Sequence, residues 1–199
     1  MCKVSSIRSS AIADRTNVPQ PEEIRSPRET LGDSAVADKN RKNDIRRPAY
    51  EIYIQREQQP GRAMDDWLQA ERESNKALVL QAFDTWSNKR DYAAAECFWS
   101  PNYIQHSAHI EPGREGLFGL IKSVPPTLKY EPGTILAEGD YVIVHGRFSG
   151  FGQPVNWIAA DIVRIKDGAL AEHWDVIQDE VSRQESKSGR PMFGDSFSK

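Results

Sequence analysis

The stretch IAADIVRIKDGALAEHWDVIQ, Ile158 to Gln178, predicts two antiparallel strands joined by a tight turn. Asp167–Gly168 is a dipeptide that two-residue hairpin turns prefer, because both positions need positive φ angles. Apolar and polar residues alternate on either side of it, as they do in half-buried strands. Asp161 breaks this pattern, because it lies between Ala159 and Val163 among side chains that alternation assigns to the buried face.

The sequence around this hairpin predicts an α+β fold. Apolar residues at three- and four-residue spacing indicate about three helices, and about four long antiparallel strands follow them. We expect a cone-shaped, strongly bent antiparallel sheet wrapped around the helices, with an apolar interior. The predicted helices cover residues 75–88, 90–99 and 113–124, and the predicted strands cover residues 127–139, 140–150, 153–166 and 169–178.

The first quarter of the chain differs in composition from the rest. Residues 1–48 contain no aromatic residue, and a segment with so little to bury cannot offset its ordering entropy. We therefore predict disorder or a linker over 1–43. Asp44 is a plausible N-cap, and Pro48 fits a first helical turn. Residues 44–73 are predicted to form a small two-helix domain, and residues 75–199 the cone domain with a polar C-terminal tail.

Composition excludes several classes of protein. The net charge of −3 gives no global field that would attract nucleic acid or an anionic membrane. No run approaches the roughly 20 apolar residues of a membrane span, and no apolar stretch follows the basic N-terminus as in a secretory signal. Two cysteines are too few for a disulfide framework and suit a reducing compartment. We expect a cytoplasmic protein.

Three motifs stand out in the sequence: YIQHSAHIEPGREGL, DIVRIKDGALAEHWDVIQ and KSGRPMFG. Together they resemble the SnoaL-like polyketide cyclase family, which has the nuclear-transport-factor-2-like, cystatin-like cone fold. The resemblance implies a pocket inside the cone, an Asp that serves as acid and base in an aldol ring closure, no metal and no cofactor. It also implies a homodimer through the open face of the sheet. Separately, AYEIYIQREQQPGRAMDDWLQAERE is similar to a small bacterial helical domain of unknown function.

The resemblance assigns the acid–base role to Asp161. Burial raises the pKa of a carboxyl group, which suits a base that works near neutral pH. An Asp that is paired with Arg or His for structure and an Asp that faces solvent are the alternatives. His145, on the preceding strand, is the predicted catalytic partner, although a structural histidine fits the pattern as well.

Six further residues are candidates for ligand binding, and the sequence leaves a structural role open for each. Trp157 and Trp174 are predicted pocket walls or core residues. His173 and Asp175 share a strand face that looks either into the cone or into a subunit interface. The H-x-x-H spacing of His106 and His109 resembles part of a zinc site, but no further ligands complete it, so no metal is predicted. The ligand-binding candidates are His106, Trp157, Trp174, His173, Asp175 and Arg147.

The leading hypothesis is a protein that binds a small, partly apolar carbonyl compound and catalyses metal-free aldol, cyclase or isomerase chemistry. A non-catalytic module for ligand binding or dimerisation is the alternative, because one fold hosts both kinds of protein.

Overall fold

The computed structural model of the protein describes residues 35–198, so residues 1–34 of the segment 1–43, predicted to be disordered or a linker, lie outside the described part. Four α-helices and five strands make up its regular structure, and a π-helical turn, Asp84–Asn88, extends the second helix. The helices are α1 (Ala35–Gln55), α2 (Ala63–Phe83), α3 (Tyr92–Ala95) and α4 (Gly113–Ser123). The strands are β1 (Trp99–Gln105), β2 (Lys129–Glu138), β3 (Tyr141–Ser149), β4 (Trp157–Lys166) and β5 (Ala169–Asp179).

The five strands form one curled, unclosed sheet in the order β1-β5-β4-β3-β2. The predicted α+β class is confirmed, and so is the hairpin at Asp167–Gly168, where both residues have positive φ angles. The four strands predicted to be antiparallel, β2 to β5, pair in this way. A fifth strand, β1, joins them at one edge and pairs parallel to β5. Strand β1 lies in the extended stretch before α4. The alternation of apolar and polar residues did not show where this stretch lies in the sheet.

One face of the sheet, the inner face, packs on α2, the π-helical turn and α4. Alternate β4 side chains from Trp157 to Ile165 lie on this face, together with Val142 and Val144 of β3, their partners in the ladder. Phe83 of α2 and Trp86 of the π-helical turn meet them from the helical side, and Trp99 of β1 belongs to the same core. The burial of these aromatic and branched side chains is the main stabilising contribution to this domain.

A bulge in β5 decides which of its residues reach the inner face. Ile165 pairs with Leu170 and Arg164 with Glu172, so Ala171 is the additional residue. A bulge shifts the alternation by one position. Leu170 before the bulge and His173 after it therefore both lie on the inner face.

The N-terminal helices form a hairpin with a small core of its own, which includes Ile45, Ala49, Trp67 and Ala70. At the turn of this hairpin, Nε and Nη2 of Arg56 each donate to one oxygen of the buried Asp66 carboxylate at 2.7 Å. The helical pair is present as predicted, but its bounds differ. Helix α1 begins at Ala35, so Asp44 and Pro48 lie inside it and not at its start.

Helix α2 is continuous from Ala63 to Phe83, although the sequence predicts a break between residues 73 and 75. Residues 63–100 contain no Gly or Pro, so nothing in the backbone ends the helix between residues 73 and 75. The helix therefore connects the hairpin rigidly to the cone-shaped domain. Within residues 35–198, no helix is both long and apolar enough to cross a membrane.

The C-terminal tail folds back on the outer face of the sheet. The ring of Phe193 lies 5.7 Å from the ring of His145 and 5.0 Å from the guanidinium carbon of Arg147. It also lies so close to Gly133 that a Cβ there would come within 2.8 Å of it. The tail thus covers the β2–β3 end of that face.

Candidate functional site

An apolar cavity of about 180 Å³ lies between the inner face of the sheet and the helices. Its floor is aromatic and consists of Phe83 of α2, Trp86 of the π-helical turn and Trp99 of β1. A second pocket adjoins the cavity, and His109, Trp157 and Ile177 line both. The polar side chains that line the cavity are Tyr103, Ser107, His109, Gln153, Asp161, His173 and Asp175.

Asp161 is the most deeply buried carboxylate of the cavity, with 3% of its surface exposed. It sits on β4 between Ala159 and Val163, with which it shares the inner face. Oδ1 lies 3.1 Å from Nε2 of His173, and the hydroxyl of Tyr130 lies 3.5 Å from Oδ2. Because burial disfavours the charged form, it raises the pKa of the Asp161 carboxyl; the hydrogen bond with His173 opposes this effect but does not reverse it.

His173 connects Asp161 to β1. Its Nδ1 lies 3.0 Å from Oε1 of Gln105, and this oxygen also accepts the backbone N–H of Ser107 at 2.9 Å. The amide nitrogen of Gln105 donates to the hydroxyl of Tyr103 at 3.1 Å. Burial raises the pKa of both Tyr103 and Tyr130, so both phenols stay protonated at neutral pH. The result is a continuous network from β4 through β5 to β1.

The structure brings four of the predicted site residues to the cavity: Asp161, Trp157, His173 and Asp175. Asp175 lies directly opposite Asp161 in the β4–β5 ladder, so both side chains are on the inner face. This settles the question that the sequence left open about β5, because His173 and Asp175 look into the cone. Trp157 lines both pockets, and its ring centroid is 5.4 Å from that of His109.

Two predicted placements, those of His145 and Arg147, need correction. In β3, Val144 pairs with Asp161, whereas His145 pairs with Ala160, so the imidazole lies on the outer face. The partner of Asp161 is therefore His173 and not His145. Arg147 also lies on the outer face, where it binds Glu131 at 2.7 Å.

His106 and Trp174 also lie away from the cavity. Their rings stack on the outer face with centroids 4.7 Å apart, and His106 binds Glu172 at 2.8 Å. The bulge at Ala171 explains this, because it places Trp174 on the face opposite to Leu170. Of the H-x-x-H pair, His109 and not His106 lines the cavity. Among the described residues, no three His, Cys, Asp or Glu side chains are grouped so that they could hold a metal ion.

Sequence reasoning missed Tyr130, Tyr103 and Gln105. Tyr130 precedes the irregularity of β2 at Pro132, which hides its alternation. The two β1 residues reach the site because their strand pairs with β5, across more than 60 positions of sequence. A polar Gln between the apolar Ile104 and a histidine gives no local sign of this pairing.

Residues 79–173 match the family model described as SnoaL-like domain. This part of the chain is a SnoaL-like domain. The match includes Asp161, His173 and Gln105. Residues 40–73 match a second family model, a protein of unknown function (DUF2934), which confirms the predicted small helical domain. Among proteins with curated functions, none matches the chain.

One solved structure shares the fold of the SnoaL-like domain, and two more are similar to part of the chain. A candidate ketosteroid isomerase from Kribbella flavida has 17% identity and a TM-score of 0.53, over 64% of this chain and 98% of that one. A candidate hydroxylase from Streptomyces galilaeus has 29% identity and a TM-score of 0.44, over 53% and 90%. A candidate polyketide cyclase from Bacillus cereus has 21% identity and a TM-score of 0.45, over 52% and 74%.

Proposed function

We propose that the SnoaL-like domain binds a compact, mostly apolar carbonyl compound and catalyses proton transfer at the carbon next to the carbonyl, in an aldol, cyclase or isomerase type of reaction. Asp161 is the acid–base group. The observation that carries the proposal is a buried carboxylate, paired with His173, that lines an apolar cavity. A carboxyl group with a raised pKa is suited to exchange protons with a weak carbon acid near neutral pH.

The shape and charge of the cavity support a small ligand without negative charge. Its volume of about 180 Å³ exceeds only slightly the roughly 150 Å³ of a cavity that accepts benzene, so a one-ring compound fits. No Lys or Arg is among the described side chains that line it, whereas Asp161 and Asp175 are. A carboxylate on the ligand would therefore lack a countercharge. The hydroxyls of Tyr103 and Ser107 are the candidate donors to a carbonyl or enolate oxygen.

The test is deuterium exchange at carbon, followed by NMR on a panel of β-diketones and β-keto esters. We expect the wild-type protein to accelerate the exchange of at least one compound. Asp161→Asn keeps the shape of the side chain but cannot take up the proton, so we expect a loss of at least about 100-fold, the smallest usual contribution of a general base.

Asp44→Asn, the same chemical change on the exposed side of α1, is the matched control and should exchange like the wild type. Full activity of a folded Asp161→Asn variant would exclude Asp161 as the base. No acceleration by the wild type, together with a tightly bound compound that co-purifies, would favour a ligand-binding protein without catalysis.

We also propose that the domain forms a homodimer through the outer face of its sheet. Five apolar side chains with at least 42% of their surface exposed share this face, and single exposed apolar residues rather than such groups are usual on monomers. They are Ile104, Leu136, Tyr141, Ile143 and Val176. A second copy would cover them by an isologous contact, in which the same patch is used on both subunits.

A further inference from the structure

Gln105 and His173 are neighbours because β1 and β5 run in parallel and pair these two residues. The backbone N–H of His106 donates to the carbonyl of His173 at 2.9 Å, which fixes the strands side by side at this point. Neighbouring strands lie about 4.8 Å apart, so the two side chains on the inner face meet. The amide of Gln105 is therefore held against the imidazole by the backbone.

The orientation of this amide is set by a backbone group. The N–H of Ser107 faces Oε1 of Gln105 at 2.9 Å. A backbone N–H can only donate, so the amide atom that faces it has to be the oxygen. The reversed amide would place its NH₂ group against this N–H, which would leave two donors in contact and no acceptor.

The protonation of His173 follows from this orientation. The same amide oxygen lies 3.0 Å from Nδ1, and a carbonyl oxygen has no proton to offer, so Nδ1 must carry one. On the other side of the ring, Nε2 lies 3.1 Å from Oδ1 of Asp161. That hydrogen bond needs one proton, which belongs either to Nε2 or to Oδ1.

We propose that Gln105 is a positioning residue that keeps a proton on Nδ1 of His173 and so leaves a single, shared proton between Nε2 of His173 and Oδ1 of Asp161. The pair then carries no net charge in either arrangement, as a carboxylate with an imidazolium or as a carboxylic acid with a neutral imidazole. Such a pair can remain in an apolar cavity without the cost of an isolated buried charge. Burial of Asp161 favours the second arrangement.

The consequence for catalysis rests on the proposed function. When the shared proton is on Nε2, Asp161 is a carboxylate and can take a proton from the carbon of the substrate. The electron pair of the broken C–H bond moves to the carbonyl, which becomes an enolate. The pair then holds the substrate proton in addition to the shared one and carries one positive charge next to the enolate, and Asp161 returns a proton to complete an exchange. With Nδ1 unprotonated, the imidazole would be neutral with its single proton on Nε2, and the pair with the Asp161 carboxylate would carry a net negative charge, which the apolar cavity disfavours.

Other groups surround the pair of Asp161 and His173, but none of them changes the number of protons that the pair holds. Tyr130 comes from β2, Tyr103 from β1 and Asp175 from β5, and the ring of Phe83 on α2 meets that of His173 edge-on at 6.3 Å. Both phenols stay protonated because burial raises their pKa. Asp175 contributes a Coulombic interaction to the pair that raises the pKa of Asp161.

The experiment is long-range ¹H–¹⁵N NMR of the imidazole, which distinguishes protonated from unprotonated ring nitrogens. The chain has four histidines, so replacement of His106, His109 and His145 by Gln leaves the signal of His173. In this background we compare Gln105 with Gln105→Met, which removes the acceptor, and with Gln105→Glu, which restores one. Gln81→Met, on the exposed side of α2, is the matched control.

We expect Nδ1 to be protonated in the parent protein, in Gln105→Glu and in Gln81→Met, and the proton to move to Nε2 in Gln105→Met. Gln105→Met should also lose at least about tenfold in carbon-acid exchange, since a wrong histidine tautomer lowers kcat by about 10⁴ in a serine-protease triad. An unprotonated Nδ1 in the parent, or identical spectra for the parent and a folded Gln105→Met variant, would overturn the proposal.

The spectra need no substrate, so the two proposals can fail separately. If the Asp161→Asn variant is active while the His173 spectra show the expected tautomers, only the catalytic role of Asp161 is rejected. A protein whose exchange depends on Asp161 but whose Nδ1 is unprotonated would reject only the role of Gln105.

Discussion

Asp161 and Asp175 lie directly opposite each other on β4 and β5 and both line the cavity, yet their surroundings differ. Asp161 has 3% of its surface exposed and is bonded to His173, whereas Asp175 is only half-buried. The charge of Asp175 adds to the effect of burial and raises the pKa of Asp161 further. Two carboxyl groups in one cavity with different surroundings are the usual basis for separate acid and base roles.

The first prediction concerns the pH dependence of stability. Because the pKa of Asp161 is higher in the folded protein than its unfolded value of about 3.9, the folded state holds this proton more tightly. Its contribution to stability is complete below about pH 4 and is lost as pH rises through the folded pKa. Asp161→Asn cannot ionise. The difference in free energy of unfolding, variant minus wild type, should therefore increase with pH and level off above the folded pKa.

Urea unfolding of both proteins at a series of pH values from 4 to 8 measures this difference. Equal m-values would show that the same cooperative transition is compared. A difference that decreases as pH rises would mean that the pairing with His173 outweighs burial and that the pKa of Asp161 is lowered in the folded protein.

Local patterns were sufficient to predict part of this site. Alternation along β4 predicts that Asp161 shares a face with Ala159 and Val163, and the structure has this arrangement because β4 is regular from Trp157 to Arg164. The Asp167–Gly168 turn fixes the register of the hairpin, so the pairing of β4 with β5 follows from local chemistry.

The partners of Asp161 could not be predicted in the same way. His145 was expected to meet Asp161, but only the register of the β3–β4 ladder, set by residues far apart, shows that it pairs with Ala160. The additional residue at Ala171 reverses the faces of β5, and no Gly marks it. Gln105 depends on the parallel β1–β5 pairing, which is a tertiary contact.

The second prediction concerns the space beside Asp161. A Cβ atom on Gly146 would lie 2.6 Å from the hydroxyl oxygen of Tyr130 and 2.5 Å from its Cε2. Tyr130 is 2% exposed and packs against Phe83 and Phe148, so its ring has no room to move. Gly146→Ala should lower the free energy of unfolding by about 1–3 kcal/mol, the usual cost of overpacking a core.

Urea unfolding tests this, with Gly119→Ala as the control. Gly119 lies on the exposed side of α4, where a Cβ would meet nothing within 4 Å. Because Ala is favoured over Gly in a helix by about 0.5–1 kcal/mol, that variant should be as stable as the wild type or slightly more stable. A Gly146→Ala protein as stable as the wild type would show that Tyr130 can shift, and that the position of its hydroxyl beside Asp161 is not fixed by packing.

The third prediction concerns the outer face of the sheet. Val176 is the most exposed large apolar side chain of the described residues, with 68% of its surface accessible, and Leu136 follows with 62%. In an isologous dimer each substitution on this face occurs twice, and Val176→Asp would bring two carboxylates into the contact. We expect the dissociation constant of the dimer to rise at least about tenfold in the Val176→Asp variant. This rise corresponds to a loss of only about 1.4 kcal/mol of dimerisation free energy.

Sedimentation velocity over a range of protein concentrations measures this constant. Leu68→Asp, which also replaces an exposed aliphatic side chain but lies on the N-terminal hairpin, should dimerise like the wild type. If the Val176→Asp monomer still accelerates the exchange that depends on Asp161, the cavity of one subunit is complete without the second subunit. A wild-type protein that sediments as a monomer at every concentration would reject the dimer, and the exposed apolar face would then need another occupant.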